Sequence, residues 1–154
     1  PYDAIRDAEA YDRVFYTGSV DEFFFYEHGM LPYRSVRFDY MTYPKKRMQR
    51  YGVVNYPENF DFTRSIEFAH FLPGENRHTV VAFEYPEAFS PGRNERAYPA
   101  VTDESSALFA RYRKKCASQS GVWFLGRLGD CRYYDMDASV GRALNVFEEV
   151  KISV

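Results

Sequence analysis

An alternation of apolar and polar residues between positions 33 and 85 most constrains the fold of this chain. In residues 33–43, one face carries Val36, Phe38 and Tyr40, and the other carries Ser35, Arg37 and Asp39. Residues 51–56, 63–71 and 79–85 repeat the pattern between turn-rich segments. We therefore predict an antiparallel meander, in a sheet of about four to six strands in all.

The pattern changes to helical spacing after residue 98. Thr102 is placed to cap a helix over residues 103–118, which a strand at Val122–Leu125 and a second helix at 137–150 follow. The second helix is predicted to bury five apolar residues, namely Val140, Ala143, Leu144, Phe147 and Val150. The fold class is therefore α+β, with a sheet followed by a helix–strand–helix segment.

Two features predict that this chain is a piece of a longer protein. A helix–strand–helix segment cannot bury both faces of its strand, so we expect its missing sheet to lie N-terminal to residue 1. The chain also begins with Pro1 although Met is used internally. Before the alternating region we predict a short helix at residues 3–12, a strand at Arg13–Tyr16 and a two-turn helix at Val20–Tyr26 with its phenylalanines in the core.

The loop at residues 126–137 has the composition of an anion-binding site. It holds two Gly, two Arg, two Tyr and three Asp, between a predicted strand and a predicted helix. Helix N-termini attract anions, and the guanidinium groups of Arg127 and Arg132 match phosphate oxygens. Ordinary turn chemistry is the alternative. The sequence contains neither Gly-x-Gly-x-x-Gly nor a P-loop, so a complete cofactor site is not encoded.

Two polar residues in the predicted strands are further candidates. Arg64 is expected on a mostly apolar strand face with Ile66, Phe68 and His70, where it needs an anionic partner or an open cleft. A salt bridge to an acidic side chain and an anionic ligand both satisfy that need. Asn55, at the end of a predicted strand, is equally suited to a turn.

Charge and composition limit the classes of partner that we expect this chain to bind. The formal net charge is −2, so any attraction of anions has to be local. We predict no nucleic-acid partner, and we interpret the basic cluster at residues 45–50 as a solvated sheet edge rather than a nucleic-acid contact. The three His and two Cys lack metal-site spacing, so no metal is predicted. Without a signal segment or a membrane span in the sequence, we expect a cytoplasmic protein.

Seven segments, in order along nearly the whole chain, resemble the C-terminal part of UDP-galactopyranose mutase. They are YTGSVD (16–21), LPYRSVRF (31–38), VVNY (53–56), FTR (62–64), EYP (84–86), YP (98–99) and GRLGDCRYYDMD (126–137). Phe62, Ala97 and Cys131 stand where the family has Tyr, and the loop before Arg64 is one residue short. None of these departures removes a phosphate contact of the family.

The resemblance implies a flavoenzyme that interconverts UDP-galactopyranose and UDP-galactofuranose for cell-surface polysaccharides such as lipopolysaccharide. Reduced FAD is implied as the nucleophile. The partners implied are a UDP-sugar and the family's N-terminal flavin domain, which has no counterpart in this chain; we also allow for a homo-oligomer. We expect this chain alone to be inactive and not to bind FAD. The alternative is a non-catalytic nucleotide-sugar-binding module.

The resemblance also implies roles for particular residues. Arg64 matches the catalytic Arg that stabilises the departing diphosphate, and it binds substrate together with Asn55, Tyr98 and Tyr133. Cofactor contacts are implied for six positions: Arg127, Tyr134, Asp135, Met136, Thr17 and Gly18. The domains predicted are a connection next to the flavin domain (1–30), a substrate-side sheet (31–98), and a C-terminal flavin-contacting helix–strand–helix segment of an α/β domain (99–154).

Overall fold

The computed structural model describes residues 11–74 and 77–152, and it confirms the α+β class. The chain forms two compact units. The first unit comprises the residues up to Tyr33 together with those from Tyr98 onward, and the second comprises Arg34–Ala97. The division into three functional domains, at residues 1–30, 31–98 and 99–154, remains a prediction. Residues 3–10 of the predicted N-terminal helix lie outside the described residues.

The sheet has five strands, as predicted, but its order differs from a meander. The strands are β2 (Tyr33–Tyr43), β3 (Val53–Asn55), β4 (Arg64–Glu67), β5 (Thr79–Ala88) and β6 (Tyr98–Pro99), in the spatial order β3-β4-β5-β2-β6. Strand β2 pairs antiparallel with β5, over the register Arg34–Ala88 to Tyr43–Thr79. The two longest strands thus pair along their length, and β3 pairs only with the short β4.

The predicted strand at residues 63–71 is wrong in its second half. Strand β4 ends at Glu67, and a 3₁₀ turn follows at Phe68–His70. The chain turns here because the buried Glu67 carboxylate accepts hydrogen bonds from the backbone N–H groups of Met48 (2.7 Å) and Gln49 (2.9 Å). The predicted faces of β2 also need correction, since Ser35 is buried and Tyr40 is exposed.

The first unit contains a parallel pair of short strands, β1 (Val14–Tyr16) and β7 (Val122–Phe124). The helix after β1, α1 (Val20–Phe23), is shorter than predicted. It cannot continue because Phe25 and Tyr26 adopt positive φ angles of 52° and 57°. Phe23 and Phe24 are buried as predicted, whereas Phe25 is exposed.

Helix α2 (Asp103–Ala117) confirms the predicted Thr102 cap. The Thr102 side chain accepts a hydrogen bond from the Ser105 backbone N–H, and the Ser105 side chain accepts one from the Thr102 backbone N–H. Tyr112 of this helix is fully buried, and its hydroxyl donates to the Gly29 carbonyl at 2.7 Å. Burial and this bond fix α2 against the segment that follows α1.

The last helix, α4 (Met136–Ile152), does not bury the stripe that the sequence indicates. Val150 is buried together with Val146, but the other predicted positions are exposed: Val140, Ala143, Leu144 and Phe147. Two faces of α4 carry apolar residues, and the helix packs within its unit through the face that holds Val146 and Val150. In residues 11–74 and 77–152, no helix is long and apolar enough to span a bilayer.

Candidate functional site

The loop at 126–137 begins with a single helical turn, α3 (Gly126–Gly129), directly after β7. Gly126 has a φ of 83°, which favours glycine. A Cβ on Gly129 would lie 3.1 Å from the Tyr16 carbonyl oxygen, so the loop also needs a small residue there. Glycine at these two positions lets the loop lie directly against the end of β1.

The Asp130 carboxylate holds this loop together. It accepts hydrogen bonds from the Gly126 backbone N–H (3.1 Å), the Tyr134 hydroxyl (3.2 Å) and Arg142 Nε of α4 (3.1 Å). Burial opposes the charged form of Arg142, but Asp130 outweighs it and raises the Arg142 pKa. Burial, followed by the nearby Asp130 charge, raises the pKa of Tyr134. The phenol therefore remains a neutral donor near pH 7.

Four of the predicted site residues come together on this loop and beside it. Arg127 Nε donates to the Tyr134 carbonyl at 2.7 Å, and the Arg127 guanidinium carbon lies 4.8 Å from the centre of the Tyr133 ring. The Tyr133 ring packs edge-on against Tyr98, with 5.9 Å between the ring centres. Tyr133 is 54% exposed. The arrangement offers one guanidinium and two phenols to a ligand.

The remaining candidates of the first unit lie at its exposed edges. Thr17 is exposed, and its Cβ is 4.0 Å from where a Cβ on Gly126 would be. A Cβ on Gly18 would lie 2.6 Å from the Tyr16 hydroxyl, so a larger residue there would require the Tyr16 ring to shift. Asp135 and Met136 are exposed where α4 begins, and the Ser139 backbone N–H donates to the Asp135 carbonyl.

In the second unit, Asn55 and Arg64 are direct cross-strand partners on β3 and β4. Arg64 Nε donates to Asn55 Oδ1 at 3.0 Å. The next strand places Glu84 opposite Arg64, with 3.6 Å between Arg64 Nη1 and Glu84 Oε2. The Arg64 side chain is 45% exposed. Arg64 is therefore oriented by an amide and a carboxylate while much of its guanidinium faces solvent.

Sequence reasoning assigned no role to three residues that organise these groups. They are Asp130, Arg142 and Glu84. Asp130 stood inside the quoted loop, but its pairing with Arg142 depends on how α4 folds back. Glu84 becomes a partner of Arg64 only through the register of β5 against β4. Neither pairing follows from a residue spacing that can be recognised in the sequence.

Both cysteines line a cleft of about 710 Å³ in the first unit, on the side of the loop that Arg132 and Trp123 also line. Burial raises the pKa of Cys116 to about 12 and of Cys131 to about 11. Both thiols are therefore protonated near neutral pH and are poor nucleophiles. Among the described residues, no group of three His, Cys, Asp or Glu is placed to hold a metal ion.

Comparison with known proteins identifies the family. The sequence pattern of UDP-galactopyranose mutase matches residues 2–133, which include both groups of site residues as far as Tyr133. The chain belongs to this family.

Three relatives show how far the similarity extends. The UDP-galactopyranose mutase of Mycoplasma pneumoniae is 35% identical over 142 residues, which are 89% of this chain and 36% of the relative. The Klebsiella pneumoniae protein named "Probable UDP-galactopyranose mutase" is 34% identical over 152 residues, 97% of this chain and 39% of the relative. The dTDP-fucopyranose mutase of Escherichia coli is 29% identical, over 89% of this chain and 37% of the relative. The chain thus spans well under half the length of these mutases.

Proposed function

We propose that this chain is the sheet-bearing and C-terminal part of a flavin-dependent mutase that interconverts UDP-galactopyranose and UDP-galactofuranose. Family membership and the names of two of the relatives described above support the reaction class and the sugar nucleotide. The dTDP-fucopyranose mutase shows that one related protein is named for a different sugar nucleotide. We place the activity in the cytoplasm, where it would supply a furanose donor for cell-surface polysaccharides such as lipopolysaccharide.

The geometry of Arg64 is the observation that carries this proposal. In a pyranose–furanose interconversion the diphosphate has to leave the anomeric carbon and return to it, so its charge must be held close throughout. Arg64 Nε donates to Asn55 Oδ1 at 3.0 Å, and Arg64 Nη1 lies 3.6 Å from Glu84 Oε2. The Arg64 side chain nevertheless remains about half exposed. The fork can therefore bind two phosphate oxygens without first breaking a buried ion pair.

The phenols of Tyr98 and Tyr133 are also suited to a diphosphate. Tyr98 and Tyr133 pack edge to face, so each ring fixes the direction of the other's hydroxyl. Phenol hydroxyls can donate hydrogen bonds to phosphate oxygens. We assign them, with Asn55 and Arg64, to substrate binding.

The loop residues fit the diphosphate of FAD. Arg127 uses Nε for the Tyr134 carbonyl, and its other N–H groups are the donor type that an anionic diphosphate requires. Thr17 and Gly18 lie beside the loop, and Tyr134, Asp135 and Met136 lead into α4. We propose these six residues as cofactor contacts. Reduced FAD, when bound, would supply the nucleophile that the side chains lack.

We further propose that this chain is inactive and does not hold FAD by itself. The relatives are more than twice as long. The exposed apolar stripe of α4, together with Phe15 of β1, is the kind of surface that further protein covers. The partner we propose for it is the flavin domain of a full-length mutase. If the purified chain bound stoichiometric FAD, this part of the proposal would be wrong.

The decisive experiment replaces Arg64 in a chain extended to the length of its relatives. Arg64→Ala should lower kcat by about a hundredfold to a thousandfold, the loss typical of removing one charge-stabilising donor. Arg64→Lys should recover only part of it, because a point charge does not reproduce the fork. Arg93→Ala, which removes an exposed Arg of the same unit, is the matched control.

Two results separate this function from the alternative of a non-catalytic nucleotide-sugar-binding module. Activity close to that of the unsubstituted enzyme in Arg64→Ala would refute the role given to Arg64. UDP-galactose binding without turnover, in an extended chain loaded with reduced FAD, would favour the binding module. Flavin absorbance should be equal in Arg64→Ala and Arg93→Ala, since neither residue is assigned to the cofactor.

A further inference from the structure

A second surface lies at the end of the sheet where β2 ends and β5 begins. The register places Tyr43 beside Thr79 and Val53 beside Ile66 near this end, whereas Asn55, Arg64 and Glu84 align two to five residues farther along their strands. We call residues 44–52, 68–74 and 77–78 the distal surface. The proposed function uses none of these residues.

The distal surface concentrates positive charge on a chain whose net charge is −2. Its five Lys and Arg residues are all exposed: Lys45, Lys46, Arg47, Arg50 and Arg77. In the sequence from 44 to 52 and from 68 to 78, the one acidic residue is Glu75. The local excess of positive charge is therefore large enough to attract an anionic partner, although the net charge of the whole chain is negative.

Large apolar side chains are exposed among these charges. Phe71 and Leu72 follow the 3₁₀ turn and are 60% and 59% exposed, and Met48 and Tyr51 of the basic segment are also exposed. The Arg50 guanidinium carbon lies 5.3 Å from the centre of the Tyr51 ring. Apolar tips beside Lys and Arg are typical of surfaces that enter the interface of a lipid bilayer.

The two segments are fixed to each other. Glu67 accepts the Met48 and Gln49 N–H groups, and His70 Nε2 lies 3.1 Å from the Gln49 carbonyl oxygen. Phe71 packs on Gly52 so closely that a Cβ there would lie 2.6 Å from the ring. The basic and apolar groups are therefore held as one surface before any partner arrives, which lowers the entropy cost of binding.

We propose that the distal surface binds an anionic lipid membrane. The charge attracts the headgroups, and Phe71, Leu72 and Met48 enter the headgroup boundary. A single-stranded nucleic acid would use the charges and the Tyr51 ring, but it has no use for exposed Leu and Met side chains, which cannot stack on bases. The membrane would thus be bound at the end of the sheet away from Arg64, which leaves that group open to its ligand.

Vesicle co-sedimentation of the purified chain tests the proposal. The chain should bind phosphatidylcholine–phosphatidylserine vesicles, bind phosphatidylcholine alone more weakly, and lose binding as salt is raised. Each basic residue near the surface contributes about a fivefold change in partitioning, so Lys45→Gln with Arg47→Gln should weaken it roughly 25-fold. Leu72→Ser should also weaken binding while leaving its salt dependence unchanged.

The matched control is Arg111→Gln with Lys114→Gln, which removes two exposed charges from α2 in the other unit. This double variant should bind phosphatidylserine vesicles like the unsubstituted chain, and circular dichroism should show that all variants remain folded. The proposal is overturned by equal loss in the control, by equal binding to both vesicle types or by no binding at all. Tighter binding to an oligouridine than to vesicles would assign the surface to nucleic acid instead. A dimer that Leu72→Ser dissociates, without vesicle binding, would assign it to a second copy.

Discussion

Two carboxylates in this chain, Asp130 and Glu67, each accept hydrogen bonds from the backbone of a loop, but their other surroundings differ. Asp130 in the first unit is partly exposed and pairs with Arg142, whose charge persists across the accessible pH range. Glu67 in the second unit is fully buried and accepts hydrogen bonds from the backbone N–H groups of Met48 and Gln49, and His70 Nε2 lies 3.3 Å from its carboxylate. One loop carries proposed ligand contacts, and the other carries the distal surface.

The comparison indicates which interactions stabilise each loop. A buried carboxylate that accepts two backbone N–H groups leaves both donors without their acceptor, and a void in its place, when it is removed. A carboxylate in a half-exposed ion pair leaves an Arg that water can partly solvate. We therefore expect Glu67 to matter more for stability and Asp130 to matter more for ligand binding.

The largest expected effect is that of Glu67→Ala. It removes the acceptor of the Met48 and Gln49 N–H groups and leaves a void where the buried carboxylate was, which together should cost about 3 kcal/mol of unfolding free energy. Urea unfolding followed by circular dichroism would measure it. Glu58→Ala, at an exposed position of the same unit, should change the unfolding free energy by less than about 0.5 kcal/mol. Equal costs for the two variants would show that Glu67 does not hold its loop.

Asp130→Ala should have a smaller effect, about 2 kcal/mol, because Arg142 remains partly solvated and only one backbone N–H loses its acceptor. Trp123, the only Trp in the sequence, lies in β7 just before this loop, so its fluorescence reports unfolding of the first unit. The control Asp137→Ala removes an exposed acid from the first turn of α4 and should cost less than about 1 kcal/mol. A larger loss in the control would contradict the role of Asp130.

Acid should weaken the stabilisation that Glu67 provides. Burial raises the pKa of Glu67, but the Gln49 and Met48 N–H groups outweigh it and hold the pKa below its usual value. The stabilisation is therefore complete above the unfolded-state pKa of about 4.3 and is lost as the pH falls through the lower folded-state value. Glu67→Gln should flatten the acid dependence of unfolding over this range. An unchanged pH profile would show that Glu67 does not titrate with folding.

The smallest expected effect concerns ligand affinity. In a chain extended to the length of its relatives, Asp130→Asn should weaken FAD binding about fivefold, because Tyr134 and the Arg127 contact to its carbonyl lose their anchor. Glu67→Gln should leave affinity unchanged. Calorimetry at neutral pH measures both, and circular dichroism checks that both variants are folded. Equal weakening in the two variants would remove the distinction drawn between the loops.

Local patterns predicted most of the elements. Strand β2 was predicted at its observed bounds, and α2 and its Thr102 cap were predicted because side-chain spacing and capping chemistry are encoded within a few residues. The end of β4 was missed because it depends on Glu67 reaching the backbone of a segment about 18 residues away. The buried side of α4 was missed because two of its sides are apolar, and only tertiary packing chooses between them.

For the candidate site, the sequence indicated some of the residues that lie together. The composition of the 126–137 loop indicated an anion site before any resemblance was considered, and in the structure Arg127, Tyr133 and Tyr98 contact one another. Glu84 and Arg142 could not be assigned, because a strand register and a helix direction bring them to Arg64 and Asp130. Whether these groups bind their proposed ligands stays a prediction.

The parallel pairing of β1 with β7 has a consequence for how the chain folds during synthesis. Val14 pairs with Val122, more than a hundred residues later, so this pairing forms only after β7 has been made. The intervening Arg34–Ala97 unit contains the pairings among β2, β3, β4 and β5 almost entirely within its own span, so it can fold while β7 is still being made. Until then the edge of β1 that will pair with β7 is open, and the ribosome-bound chain would be most prone to aggregation in that interval.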